Sequence, residues 1–419
     1  MAVQRHGAVR ERVRARRTAG AVLACLLFAS ACASPGDPAR DTAAQEIRAT
    51  LDRRAGAVLN HDPAAFLAVL SPKAKALRAA QRTELANLAD VPLKSWSYEV
   101  RTVTPHGTGR ATADVDLRYR IDGYDRAPVS AARTLELARD DTDGRWYIAA
   151  DRPAAGAAGQ LWQQGDVQVV RGRHSLVLGV DRPEEELRRV ADTADRAVPA
   201  VTAAWPDSWA RRVVVLVPGS VEDMAGLLGS PAASYRGIAA VTTGEVGGSG
   251  KAPGAADRVI VNPQAYTVLG TFGQQVVLTH ETTHVATRVH TSPSTPVWLS
   301  EGFADWVAYR DEDRPADLIA PELAEAVRGG ELPAELPVDA DFGFGGDAGK
   351  LARAYEGGWM ACELIEDHWG AEKLIAFYRA VGGHPGRDGA VEQALHTVLG
   401  TTPQEFGASW RDYLAARLG

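Results

Sequence analysis

Two histidines four residues apart, His280 and His284, with Glu281 directly after the first, constrain the fold of this chain more than any other feature. At 3.6 residues per turn, positions i and i+4 lie on one face of a helix, about 6 Å apart along its axis. Residues 274–290 contain no glycine or proline, and apolar residues flank the histidines. The sequence therefore predicts a helix that presents both imidazoles to one point in space.

A second pair with the same spacing, Glu301 and Asp305, follows after sixteen intervening residues. Two prolines interrupt the chain between the pairs, which predicts a helix, a turn and a second helix. A carboxylate at Glu301 can then meet both imidazoles. Asp305 lies on the same helix face, where it can accept the N–H of one imidazole, which we expect to be His280.

Two imidazoles and one carboxylate form the ligand set of a catalytic Zn²⁺, which keeps a fourth position open for water. We therefore predict His280, His284 and Glu301 as metal ligands and Zn²⁺ as the cofactor. Glu281 is rotated by about 100° from His280, so it is placed to act on a water as general base. The simpler interpretations are solvated or packed histidines, a first-turn acid at Glu301 and a surface acid at Asp305.

The run His280-Glu-Thr-Thr-His284, followed by Trp298-Leu-Ser-Glu-Gly-Phe-Ala-Asp-Trp306, resembles the gluzincin zinc metallopeptidases, particularly the M1-like (peptidase MA-like) group. The resemblance covers roughly residues 161–419. It implies a small mixed sheet followed by a mostly α-helical half, and a peptide or protein substrate. It also implies a role for each site residue: zinc ligands at His280, His284 and Glu301, general base at Glu281, and a carboxylate behind the ligands at Asp305.

One segment departs from that family. The M1 aminopeptidases carry an upstream Gly-x-Met-Glu-Asn segment that binds the free amino terminus of the substrate. The corresponding region here, Gly237-Ile-Ala-Ala-Val-Thr-Thr243, has no acidic or amide residue. We therefore expect an endopeptidase or a peptidase of narrow specificity rather than an aminopeptidase, and the sequence does not specify the cleavage site.

The resemblance also implies a donor that stabilises the oxyanion of the tetrahedral intermediate. Tyr355, in Ala-Tyr-Glu-Gly-Gly-Trp, lies at about the distance downstream where related peptidases place such a tyrosine. We predict Tyr355 as a catalytic residue, with packing of a helix start as the alternative. Tyr309 and His368 are secondary candidates.

The N-terminus predicts export. Six arginines precede a short apolar run, which ends in small residues before Cys32. This pattern resembles a bacterial lipoprotein signal, with residues 1–31 removed, Cys32 acylated and 32–41 as a tether. It predicts a protein anchored by lipid to the cell membrane and facing outward. Secretion after ordinary cleavage and an uncleaved anchor are the alternatives.

Residues 42–150 predict a separate α+β domain. Helical spacing comes first, and from Trp96 the apolar period changes to two, which indicates antiparallel strands. Helices followed by such a sheet resemble the NTF2-like fold. A glycine- and alanine-rich linker at 151–160 then separates this domain from the metallopeptidase domain at 161–419.

The net charge of −7 and the sequence pI near 5.9 argue against a nucleic-acid partner. Once Cys25 and Cys32 are set aside, only Cys362 remains, so no internal disulfide is expected. The oligomeric state does not follow from the sequence.

Taken together, the residues predict an exported zinc metallopeptidase. A zinc hydrolase of a non-peptide amide or ester is one alternative, and a non-catalytic surface binding protein with structural zinc is another. Glu281 favours an enzyme, because a purely structural metal site needs no base at that position.

Overall fold

The computed structural model describes residues 38–243, 257–343 and 347–419. The predicted signal and Cys32 lie outside these ranges, as does most of the tether. Three helices come first, and a four-stranded antiparallel sheet in the order β1-β2-β3-β4 follows. These elements are α1 (Pro38–Leu59), α2 (Pro63–Ala68), α3 (Lys75–Asn87), β1 (Leu93–Pro105), β2 (Arg110–Ile121), β3 (Val129–Arg139) and β4 (Trp146–Pro153).

Helix α1 packs against one face of this first sheet. Along β2, Ala113 and Val115 are buried whereas Asp114 is exposed, because successive side chains of a strand point to opposite faces. Ile47 and Leu51 of α1 belong to the same apolar cluster as Ala113 and Val115. The predicted combination of helices with an antiparallel sheet is confirmed, and the resemblance to the NTF2-like fold stays a prediction.

The elements of this first half, residues 38–153, extend beyond both ends of the predicted domain at 42–150. Helix α1 begins at Pro38, inside the predicted tether, and proline suits the first turn of a helix. Strand β4 continues to Pro153, three residues beyond the predicted end at 150. The extension has a physical reason, because the carboxylate of Asp151 is buried between Arg54 at 2.7 Å and Arg133 at 2.6 Å.

The second sheet has five strands in the order β5-β6-β7-β9-β8. Strands β6, β7 and β9 run parallel, whereas β5 and β8 are antiparallel edges. The strands and the helices between them are β5 (Val167–Arg171), β6 (Ser175–Val180), α4 (Glu184–Ala204), β7 (Val213–Val217), α5 (Val221–Leu228), β8 (Ala240–Thr242), β9 (Val259–Val261) and α6 (Pro263–Thr267). Strand β8 is short, and a 3₁₀ turn at Ala232–Tyr235 precedes it.

The remaining chain is helical, as predicted. Its elements are α7 (Thr271–Thr287), α8 (Val297–Tyr309), α9 (Ala316–Ile319), α10 (Pro321–Arg328), α11 (Ala348–Trp369), α12 (Ala371–Gly382), α13 (Ala390–Ala394), continued by a π-helical turn to Leu399, and α14 (Pro403–Leu418). Among the described residues, no helix combines the length and apolarity that a membrane crossing needs.

Glycines allow α8 and α11 to pack unusually closely. A Cβ added to Gly302 would lie 2.2 Å from the carbonyl oxygen of Gly358, and a Cβ added to Gly358 would lie 2.6 Å from that of Trp298. Both contacts are with backbone, so no side chain can rotate away to relieve them. This crossing fixes the depth of α8 in the core, and with it the position of Glu301 beside Gly302.

The two halves share one apolar cluster. Trp162, which precedes β5, packs against Trp96 and Tyr119 of the first sheet, with ring centroids 5.8 Å and 5.0 Å away. Arg258, directly before β9, also pairs with the buried Asp125 at 2.7 Å. The segment predicted as a linker therefore leads directly into a packed interface.

Candidate metal centre

Helices α7 and α8 bring three of the predicted site residues together. Nε2 of His280 lies 3.0 Å from Nε2 of His284 and 3.2 Å from Oε2 of Glu301. The third edge, from Nε2 of His284 to Oε2 of Glu301, measures 3.5 Å. The helix–turn–helix arrangement expected from the sequence thus places two nitrogens and one oxygen around a single point.

These three distances fit a tetrahedral metal ion. With metal–ligand bonds of about 2.0–2.1 Å, two corners of a tetrahedron lie about 3.3–3.4 Å apart. The observed edges of 3.0, 3.2 and 3.5 Å bracket that separation. Two imidazoles and a carboxylate suit Zn²⁺ chemically, so His280, His284 and Glu301 would hold such an ion and leave its fourth position open.

The three ligands differ in their access to solvent. The side chain of His284 is 3% exposed, whereas those of His280 and Glu301 are 13% and 12% exposed. The centre is therefore closed on the side of His284 and partly open at His280 and Glu301.

Asp305 orients the ring of His280 through a hydrogen bond at Nδ1, the nitrogen that faces away from the other ligands. Its Oδ1 lies 2.7 Å from Nδ1 of His280, which leaves Nε2 of that ring directed at the other ligands. Burial opposes protonation of His280, but Asp305 and Glu301 outweigh burial and raise the pKa of the imidazole. A carboxylate that fixes the tautomer and raises the basicity of a histidine is the usual support of a metal-binding imidazole.

Glu301 is held in its ionised form. Burial favours the neutral acid, but His284 and His280 dominate and lower the pKa of the carboxyl well below its usual value. An ionised carboxylate between two imidazoles provides the negative charge that attracts a cation.

Glu281 is buried beside the three ligand residues, with only 6% of the residue exposed. Its Oε2 accepts a hydrogen bond from the hydroxyl of Thr242 at 2.6 Å. Thr242 is the last residue of the edge strand β8. The second sheet therefore touches the predicted base directly, through a strand whose side chains are themselves buried.

The tyrosine candidates lie on α8 and α11. Tyr355 is half-buried on α11, and its ring packs edge-on against Phe342 at 5.1 Å. Tyr309 follows Asp305 by one helical turn and lies beside Trp359. Burial, Asp305 and Glu356 all raise the pKa of the Tyr309 hydroxyl, so it stays protonated.

His368 lies thirteen residues beyond Tyr355, about 20 Å further along α11. It is exposed, and its ring faces Tyr413 of α14 at 6.3 Å. The structure therefore does not bring His368 together with the tyrosine candidates.

Sequence analysis missed Thr242. This residue lies 39 positions before Glu281 and belongs to the segment that lacks the acidic aminopeptidase residues. A threonine in a short apolar strand has no spacing signal that links it to a distant helix. Only the placement of β8 beside α7 reveals the contact.

No protein-family model and no curated protein matches the chain. Solved structures similar to it include two of a mutant M1 zinc metallopeptidase from Deinococcus radiodurans. The first, bound to a Tyr-Ser-Ala substrate, has a TM-score of 0.31 and 15% sequence identity; the match covers 77% of this chain and 61% of that one. The second has a TM-score of 0.33 and 12% identity, and covers 76% of this chain and 94% of that one.

Proposed function

We propose that this protein is a zinc-dependent metallopeptidase that hydrolyses peptide bonds. The observation that carries the proposal is the triangle of His280, His284 and Glu301, with edges of 3.0, 3.2 and 3.5 Å. Beside it, Glu281 supplies a carboxylate that is not part of the triangle. A ligand set together with a separate base is what a hydrolase needs and a structural metal site does not.

The residues divide the chemistry between them. A bound Zn²⁺ supplies Lewis acidity, which lowers the pKa of a neighbouring water and polarises a carbonyl group. Glu281 accepts the proton of the attacking water and later delivers it to the leaving amine. Asp305 keeps the ring of His280 in the orientation in which Nε2 faces the other ligands.

We propose Tyr355 as the donor that stabilises the oxyanion of the tetrahedral intermediate. Its position on α11 supports this role, because α11 crosses α8 closely at Gly302 and Gly358. Tyr355 lies one helical turn before that crossing. Replacing Tyr355 with Phe keeps the ring that packs on Phe342 and removes only the hydroxyl, so it separates catalysis from packing.

The substrate class needs its own test. A zinc hydrolase of a non-peptide amide or ester would use the same ligands and the same base. A library of internally quenched peptides, run beside simple amide and ester substrates, distinguishes the two chemistries. Cleavage of peptides at internal bonds supports the endopeptidase proposal, whereas turnover of esters or non-peptide amides alone contradicts the peptidase proposal.

We further propose that the protein is exported and anchored to the outer face of the membrane through a lipid on Cys32. The support comes from the basic, apolar and small-residue order of residues 1–32. Mass spectrometry of the mature N-terminus tests it. A diacylglyceryl-modified cysteine at the first position is the expected result, and an unmodified N-terminus at another residue contradicts it.

The decisive experiment combines metal content with turnover. Wild type, Glu301→Ala and Glu281→Gln are compared by elemental analysis and by peptide cleavage. We expect one zinc per chain in wild type and in Glu281→Gln, with sharply weakened binding in Glu301→Ala. Cleavage should be present in wild type only. Undiminished cleavage by Glu281→Gln would contradict the mechanism, and absence of zinc from reconstituted wild type would contradict the metal centre.

A further inference from the structure

The edge strand β8 places one buried hydroxyl against the predicted general base. Thr242, which ends this strand, is 0% exposed, and it pairs with Val259 of β9. Its Oγ1 lies 2.6 Å from Oε2 of Glu281 and 3.2 Å from the backbone oxygen of the same residue. One side chain of the sheet thus meets both the carboxylate and the backbone of the base.

The hydroxyl of Thr242 has a single hydrogen to donate, and the carboxylate is its stronger and nearer acceptor. At 2.6 Å the contact with Oε2 has the length of a charge-assisted O–H···O bond. The bond with the backbone oxygen is longer at 3.2 Å. The hydroxyl therefore fixes the carboxylate group rather than the helix backbone.

Restricting the carboxylate of Glu281 to one orientation is useful for proton transfer. A glutamate side chain that rotates freely samples several rotamers, and only a few direct its oxygen towards the triangle of ligands. Residues that transfer protons need to be held within about 0.5 Å of the productive geometry. The hydrogen bond from Thr242 to Oε2 restricts the rotamers that the side chain of Glu281 can adopt.

The strand that carries Thr242 is itself anchored. The backbone N–H of Thr243 donates to the carbonyl of Arg258 at 2.9 Å, and the N–H of Arg258 donates to the hydroxyl of Thr243 at 3.0 Å. The guanidinium of Arg258 then donates to both carboxylate oxygens of Asp125, at 2.7 and 2.8 Å. This series of contacts ties Thr243, the residue directly after β8, to the loop that follows β2, so the end of the strand that carries Thr242 is held by hydrogen bonds outside the site.

We propose that Thr242 is a positioning residue for Glu281: its hydroxyl holds the carboxylate of the general base in the orientation used for proton transfer. The proposal rests on the proposed function of Glu281 as base, and it adds a residue from the sheet to a site otherwise built from two helices. Thr242 is not one of the three predicted ligands, and it acts through the carboxylate of Glu281.

The test compares three variants. Thr242→Val removes the hydroxyl and keeps the shape, and Thr242→Ser keeps the hydroxyl and loses the methyl. Thr283→Val is the matched control, because Thr283 is a buried threonine like Thr242. It lies on α7, and its hydroxyl donates to the backbone oxygen of Thr279 at 2.8 Å. Zinc content, kcat and KM with a cleavable peptide, and the free energy of unfolding are measured for each.

We expect Thr242→Val to keep its zinc and its KM while kcat falls by about 10- to 100-fold, the effect typical of losing a supporting partner near a metal site. Thr242→Ser should recover kcat to within about threefold of wild type, and Thr283→Val should behave as wild type. A Thr242→Val variant with full zinc and undiminished kcat overturns the proposal. Should Glu281→Gln retain activity, it is the proposed function that fails.

A second measurement does not depend on turnover. Crystal structures of the zinc-loaded wild type and of Thr242→Val show whether the carboxylate of Glu281 stays in place. We expect a single orientation in wild type and a displaced or multiple orientation in Thr242→Val. A single unchanged orientation in both proteins contradicts the positioning role, whatever the substrate is.

Discussion

Nδ1 of His280 lies 2.7 Å from Oδ1 of Asp305, so the imidazole is held from behind while its other nitrogen faces the metal ligands. The contact joins α7 to α8 and follows from the i, i+4 spacing of Glu301 and Asp305 on one helix face. It ties the orientation of a ligand to the packing of two helices.

Replacing Asp305 with Asn should weaken zinc binding by about 10- to 100-fold without removing it. The amide is nearly isosteric but lacks the negative charge that supports the imidazole. Competition with a chelating dye measures the affinity. Asp311→Asn, an exposed residue just past the same helix, is the control and should leave the affinity unchanged. Equal affinities in the two variants would mean that Asp305 does not support the site.

Replacing Glu281 with Gln should lower kcat by at least about 1000-fold, because an amide cannot accept the proton of the attacking water. The Thr242 hydroxyl can still donate to the amide oxygen, so the fold should be retained. Circular dichroism and zinc content check this. A loss of zinc equal to that of Glu301→Ala would show that Glu281 belongs to the ligand set instead.

Replacing Gly302 with Ala should destabilise the protein by about 1–3 kcal/mol and weaken zinc binding. The new Cβ would lie 2.2 Å from the backbone oxygen of Gly358, so α8 and α11 must separate and carry Glu301 with them. Gly407→Ala is the control, since no atom lies within 4 Å of a Cβ there. In that helical position alanine should be neutral or stabilise by about 0.5–1 kcal/mol. Chemical denaturation distinguishes the two results.

Replacing Asp125 with Asn should lower the free energy of unfolding by about 3–5 kcal/mol, because the buried guanidinium of Arg258 loses its charged partner. Asp122→Asn removes an exposed partner of Lys94 at 3.2 Å and should change stability by less than about 1 kcal/mol. Denaturant titration compares the two. An equally small effect for Asp125 would show that the contact between the halves is weak.

Stability should also fall as the pH rises, owing to Glu356. Burial, together with Glu322, raises the pKa of this carboxyl to about 8. The backbone N–H of Leu323 donates to the carboxylate at 2.6 Å and lowers the pKa, but its effect is smaller. Between the unfolded pKa of 4.5 and about 8, the folded state binds the extra proton, so raising the pH favours unfolding. The slope is at most about 1.4 kcal/mol per pH unit, and solvent screening of this half-buried group reduces it.

Glu356→Gln should flatten that dependence and be more stable than wild type above pH 8. The free energy of unfolding measured from pH 5 to 9 tests this, with the exposed Glu325→Gln on α10 as the control. Parallel profiles for wild type and Glu356→Gln would mean that Glu356 ionises without cost in the folded protein.

The sequence predicts the helical part of the site because that part is local. Positions 280, 284, 301 and 305 lie on two short helices, and period and proline placement set their geometry. The same pattern identifies the alternating strand β2. Contacts between distant segments leave no such pattern: Thr242 with Glu281, Arg258 with Asp125, and the close approach of Gly302 to Gly358 depend on how the elements pack.

The end of strand β4 also depends on contacts between distant segments. Glycine and alanine at 151–160 are typical of a linker, yet Asp151 is fixed by two buried arginines of the first half. Composition describes the tendency of a segment, whereas a buried ion pair decides where its strand ends. Residues 151–153 therefore belong to the sheet.

The packing of Trp162 against Trp96 and Tyr119 bears on the order in which the chain can be assembled. The first sheet precedes the second along the chain, and its two aromatic residues, Trp96 and Tyr119, are brought together once β2 has paired with β1. We expect the second half to condense on that surface. A fragment that starts at residue 161 would instead expose the apolar surface around Trp162 and aggregate. The N-terminal half would thus serve as a template on which the second half folds.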